Sequence, residues 1–168
     1  PTAAAVLPVD TAIWSSATDG ELVVAADRPY GVHVSRVKTL LDPLEHVASS
    51  IALTGTLVDV EIAGDMACVL TSSWFYVVDI TDPAQPLVIG DWGPVAGTDL
   101  AICGQRAYVV TDNPASPGLY YIFNLLNPAS LSCLDGWLVR SGRVVKVAGD
   151  LMYVGAVGGG VDVYSLRA

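Results

Sequence analysis

Four glycines at near-regular intervals constrain this chain more than any other feature. Gly20, Gly64, Gly104 and Gly149 are separated by 44, 40 and 45 residues. A short apolar run follows each one: Glu21–Ala25, Asp65–Val69, Gln105–Val109 and Asp150–Val154. After a polar break comes a second run: Gly31–Val34, Trp74–Val77, Leu119–Ile122 and Gly160–Val163. A further run precedes the glycine in the later copies: Val58–Ile62, Thr98–Ile102 and Val144–Ala148. In the first copy Val9–Ile13 fits that place if the turn before Gly20 is longer. Several short strands recurring at about 42 residues describe stacked β-units.

The stretch from Trp74 to Gly90 shows the unit most clearly. Phe75, Tyr76, Val77, Val78 and Ile80 form one apolar run, and Leu87–Trp92 forms the next. Between them Asp79 and Asp82 can accept bonds from backbone N–H groups two residues on, which favours turns. Pro83 fixes its own φ and biases Asp82 to extended geometry. Pro86 lacks a donor and suits an edge strand. The counterpart of the closing strand in the third copy is Leu131–Trp137.

These strands do not alternate polar and apolar, so both of their faces are covered. A lone four-stranded sheet cannot cover its own two faces, so neighbouring units must stack on it. The expected fold is all-β: a β-propeller of about four blades of four antiparallel strands, or a four-blade part of a larger propeller. The blades run approximately 9–54, 55–96, 97–141 and 142–168, in a single domain spanning 1–168, with 1–8 as the closing strand of the last blade. Residues near Ala3–Leu7 are expected to pair with the strand around Val161–Leu166. The ring then closes on itself, or stays an arc that another chain completes.

Composition narrows the function classes. Charged residues make up 15% of the chain, against about 25% in typical soluble domains. Mean hydropathy is +0.52, yet no apolar run reaches the roughly 18 residues a spanning helix needs. The net charge of −9 argues against nucleic acid and against anionic membrane surfaces. Three cysteines without a CxxC pair argue against zinc, and three buried free thiols are expected. The start at Pro1, without Met or a signal-like segment, reads as processed, excised or engineered.

The residues of the second copy resemble the LVIVD-repeat family, β-propellers of bacterial and archaeal proteins that are mostly secreted or at the surface. The resemblance is carried by Ala63–Val69, by Phe75–Pro83 and by Pro86–Gly90. The third copy follows with Asn124 for the family's Asp and Asn127-Pro128 for its Asp-Pro, whereas Arg36 and Ser165 stand at the position of Asp79 in the first and fourth copies. The resemblance implies the fold and carries little about activity.

Chemistry-bearing residues are few. Asp10, Asp59 and Asp99 head the inner strands, with Val144 breaking the series. Three carboxylates near one channel mouth can hold a hard cation, or they can bond to backbone N–H groups of neighbouring blades. Glu61 and Lys146 share a register and can neutralise each other across the channel or simply be solvated by its water. His33 stands at a variable strand position, and His46 reads as an exposed turn residue. Trp92 and Trp137 occupy one place in consecutive blades, which points to packing. No GxSxG, HExxH, P-loop or GxGxxG is present. The expectation is a non-catalytic extracellular or cell-surface module that binds a protein or cell-surface component, or scaffolds an assembly, with no cofactor. A homo- or hetero-oligomer is compatible with it. The alternative is an enzyme or metal-binding domain using carboxylates at the channel mouth, with Asp10, Asp59 and Asp99 as its ligands.

Overall fold

Turn chemistry fixes the repeat glycines. Gly64, Gly104 and Gly149 have φ of 60°, 58° and 58°, a left-handed conformation that glycine adopts without strain. A Cβ at any of them would meet open space, so backbone angle and not crowding demands glycine there. The computed structural model describes residues 13–27, 31–39, 42–112, 118–137 and 140–167.

Four antiparallel sheets follow one another along the chain. The first holds β1 (Ile13–Thr18), β2 (Leu22–Asp27), β3 (Gly31–Thr39) and β4 (Asp42–Ile51). The second holds β5 (Leu57–Ala63), β6 (Met66–Thr71), β7 (Phe75–Asp79) and β8 (Leu87–Trp92). The third holds β9 (Gly97–Cys103), β10 (Arg106–Thr111), β11 (Leu119–Asn124) and β12 (Ser132–Trp137), with a 3-10 turn at Pro128–Ser130. The fourth holds β13 (Gly142–Ala148), β14 (Leu151–Ala156) and β15 (Val161–Ser165). Each is a simple meander, and β8, which follows Pro86, is an outer edge strand.

The first inner strand departs from expectation. Its described part is Ile13–Thr18, running past the expected Val9–Ile13, of which only Ile13 lies among the described residues. Asp19 is the physical reason, because its Oδ1 accepts the N–H of Glu21 and of Leu22, both at 2.8 Å. The turn at Gly20 therefore keeps the register of those at the other glycines, and the strand runs on to Thr18. His46 also differs: it lies on β4 opposite Ser35, within a long hairpin that continues to Thr39 and Asp42.

Successive sheets stack by their inner strands, β1 on β5, β5 on β9 and β9 on β13. Three apolar layers lie between them. Val24, Ala26, Val32 and Val34 meet Val60, Ala67, Val69 and Val78. Cys68, Leu70, Phe75 and Val77 meet Leu100, Ala107, Val109 and Phe123, with the rings of Phe75 and Phe123 stacked at 4.3 Å. Ala101, Tyr108 and Val110 meet Val145, Met152 and Val154. Among the described residues no such layer joins the fourth sheet to the first, so the described sheets form an open arc and not a closed ring. The pairing expected for Ala3–Leu7 lies outside the described residues.

Candidate functional site: the inner-strand carboxylates

Each inner strand is a sheet edge, and an edge presents unpaired N–H groups. Each also carries a β-bulge at one register, between Ile13 and Ser15, Leu57 and Asp59, Gly97 and Asp99, and Gly142 and Val144. A bulge re-aims the neighbouring side chain. The residue after each bulge stands five positions before its repeat glycine: Ser15, Asp59, Asp99 and Val144.

Those side chains join the sheets. Asp59 Oδ2 accepts the N–H of Leu100 on β9 at 3.2 Å. Asp99 Oδ2 accepts the N–H of Val145 on β13 at 2.7 Å. Ser15 Oγ donates to Asp59 Oδ1 at 2.6 Å, which also accepts the N–H of Val60 at 2.9 Å. Thr98, the bulged residue of β9, donates its hydroxyl to Gly142 O at 2.8 Å. Each carboxylate thus caps an edge donor of the following sheet, a charge-assisted bond stronger than a neutral one.

The electrostatics follow from this placement. Burial pushes the Asp99 carboxyl up to about 7, the nearby Asp59 carboxylate adds to the rise, and the Val145 N–H opposes it. Burial also raises Glu61, against the pull of Lys146, whose Nζ stands 3.7 Å from Glu61 Oε1. The expected pairing of Glu61 with Lys146 is therefore present. Of the three carboxylates read from the sequence, Asp59 and Asp99 come together and Asp10 lies outside the described residues. The place in the first sheet that matches Asp59 belongs to Ser15. Counting five back from Gly20 finds it. Among the described residues no group of three or more His, Cys, Asp or Glu side chains is arranged to hold a metal ion.

The remaining candidates are structural in their contacts. His33 Nε2 lies 3.1 Å from Asp27 Oδ2, a buried carboxylate at the end of β2. The same register holds buried Thr71 and Thr111 in the next two sheets. Thr71 Oγ1 bonds to Thr54 O and to Trp74 N, and Thr111 Oγ1 to Leu119 O. Asp79 Oδ1 accepts the N–H of Thr81 at 2.9 Å, and Asn124 Oδ1 accepts that of Leu126 at 3.0 Å, so the substituted Asn keeps the turn bond of the Asp. The Trp92 ring sets its edge against Phe123 at 6.1 Å. Cys68, Cys103 and Cys133 stand outside any disulfide, but of the three buried thiols expected only Cys68 is buried, and Cys103 and Cys133 are half-buried. A cleft of about 370 Å³ between the second and third sheets is lined by Ala63, Met66, Leu125 and turn residues and offers no acid–base pair. No helix among the described residues is long and apolar enough to cross a membrane.

No family model matches the chain, and no curated protein matches it. Solved structures do. The computationally designed Ika4 protein superposes with a TM-score of 0.75 at 14% identity, over 97% of this chain and 96% of that one. A functionally unknown protein from Desulfotomaculum acetoxidans gives 0.76 at 15% identity, over 96% of this chain and 54% of that one. Sqt1 from Saccharomyces cerevisiae gives 0.74 at 9% identity, over 93% and 46%. The chain spans about half the length of these two natural proteins. At such identities the likeness concerns the fold alone, and that fold is a propeller-like arc of antiparallel sheets joined through their inner strands.

Proposed function

We propose that this chain is a non-catalytic propeller module of the LVIVD-repeat kind, working at the cell surface or outside the cell as a binding or scaffolding unit for a protein or cell-surface component. One observation carries the reading. The carboxylates of the inner strands, where a propeller channel would hold its chemistry, are bonded to the backbone of the following sheet. Their oxygens serve assembly of the stack. The turn bonds of Asp79 and Asn124 support the family likeness. A second reading, that the chain is an arc of a larger propeller, draws support from the open fourth sheet and from the half-length match to natural chains. The two are compatible.

The test is a calorimetric titration of the full chain with Ca²⁺ and with Mg²⁺, beside the Asp59→Asn and Asp99→Asn variants. The expected result is no saturable heat for any of the three proteins, with a lower Tm for Asp59→Asn near neutral pH, as loss of a charge-assisted inter-sheet bond requires. Saturable binding that disappears in either variant would replace this reading with the metal-binding one.

A further inference from the structure

The fourth sheet leaves uncovered the face that the other sheets bury. Register makes the comparison direct. Tyr153 stands where Cys68 and Tyr108 stand, Val161 where Phe75 stands, and Val163 where Val77 stands. Cys68, Phe75 and Val77 have no exposed surface and Tyr108 has 4%, because the next sheet covers them. Tyr153, Val161 and Val163 are 36%, 63% and 55% exposed. Val144 and Leu151 extend the same surface. Flat apolar area of this kind marks an interaction site.

We propose that a second copy of this chain covers this face, through a two-fold contact of one fourth sheet on the other; this rests on the reading above as a binding module and names the partner. Three observations select that occupant. The surface that the stack places on this face elsewhere is another antiparallel sheet with aliphatic side chains, and each copy carries one exposed. The corresponding back of the first sheet, with Ala25, Asp27 and Ser35, is already buried within the chain, so a copy cannot dock there. Charge makes the third case. The chain carries −9, which repels copies from most approaches, yet the described face has no acid, and its Lys146 is matched by Glu61. A two-fold contact is self-complementary and is the commonest homo-oligomeric arrangement.

Sedimentation equilibrium of the full chain at neutral pH tests the proposal. The expected result is a monomer–dimer equilibrium in the micromolar range, weakened at least about tenfold in Val163→Lys, since the new ammonium would be buried without a partner. Val161→Thr, which keeps a strand-forming residue, should weaken it by a smaller factor and guards against a variant that fails to fold. Far-UV circular dichroism should match the wild type for both. A wild-type chain that stays monomeric at high concentration overturns the proposal, and so does a dimer that both variants leave unchanged. A monomer with silent cation titrations removes this contact alone, whereas cation binding removes the functional reading whatever the oligomeric state.

Discussion

The Asp59–Asp99 pair makes stability depend on pH with a sign opposite to that of an ordinary surface-paired carboxylate. In the unfolded chain an Asp loses its proton near 3.8; in the folded chain Asp99 holds it to about 7. Between those values the folded state binds the extra proton, so stability falls as pH rises and levels off above 7. At full value the difference corresponds to about 4 kcal/mol, at about 1.36 kcal/mol per pH unit. Asp99 is only half-buried, and solvent screening reduces this to about 1–2 kcal/mol. Asp99→Asn cannot titrate, yet its amide oxygen can still accept the Val145 N–H. Urea unfolding followed by tryptophan fluorescence from about pH 4.5 to about pH 7.5 should show the wild type losing about 1–2 kcal/mol across the window relative to the variant. The slope is the readout, because the substitution also weakens a hydrogen bond at every pH. Parallel wild-type and variant curves, or a wild type that gains stability against the variant as pH rises, would refute the reasoning.

Three further outcomes follow from named contacts. Burial, with Glu61 adding, pushes the Cys68 thiol up to about 12, so iodoacetamide at pH 8 should label it last of the three cysteines in the native protein, read by peptide mass spectrometry; rapid labelling contradicts its packing. Phe123→Ala empties a fully buried site stacked on Phe75 and should cost about 3–5 kcal/mol in urea unfolding, with less than about 1 kcal/mol pointing to a layer that is not closely packed. A Cβ at Gly90 would stand 2.0 Å from Pro128 O, so Gly90→Ala should cost about 1–3 kcal/mol as β8 and the 3-10 turn separate; an unchanged Tm would show that they do not touch.

The repeat was legible because its punctuation is local. Gly64, Gly104 and Gly149 mark left-handed turns, and the apolar runs around them became strands, with Leu87–Trp92 matching β8 at both ends. The inner-strand register was harder to read. Asp10 resembles Asp59 in type, but Ser15 holds the equivalent place, and a serine there inverts the bond: it donates to Asp59 and does not accept from the next sheet. Residue type misled where a count from Gly20 would not have. The state of the fourth sheet was not legible at all. Val161-Asp162-Val163 reads the same whether or not a neighbour covers it, since strand propensity reports the sheet and carries nothing about what stacks on it.

The inter-sheet bonds have a direction. Ser15 reaches towards the second sheet, Asp59 reaches to the third, and Asp99 reaches to the fourth. The third sheet therefore presents an edge amide trailing and an acceptor leading, whereas the second uses its Asp59 carboxylate on both sides, receiving Ser15 behind and the Leu100 N–H ahead. Loss of the third sheet would bring Asp59 to the Val145 edge amide, and tandem duplication of the third would give the added Asp99 the Leu100 amide of the next copy, in each case an amide of the kind already held. The fourth sheet ends this series, because the Val144 side chain has no oxygen to offer onward. Length can vary by whole repeats inside the stack, while growth beyond the fourth sheet requires a new means of attachment.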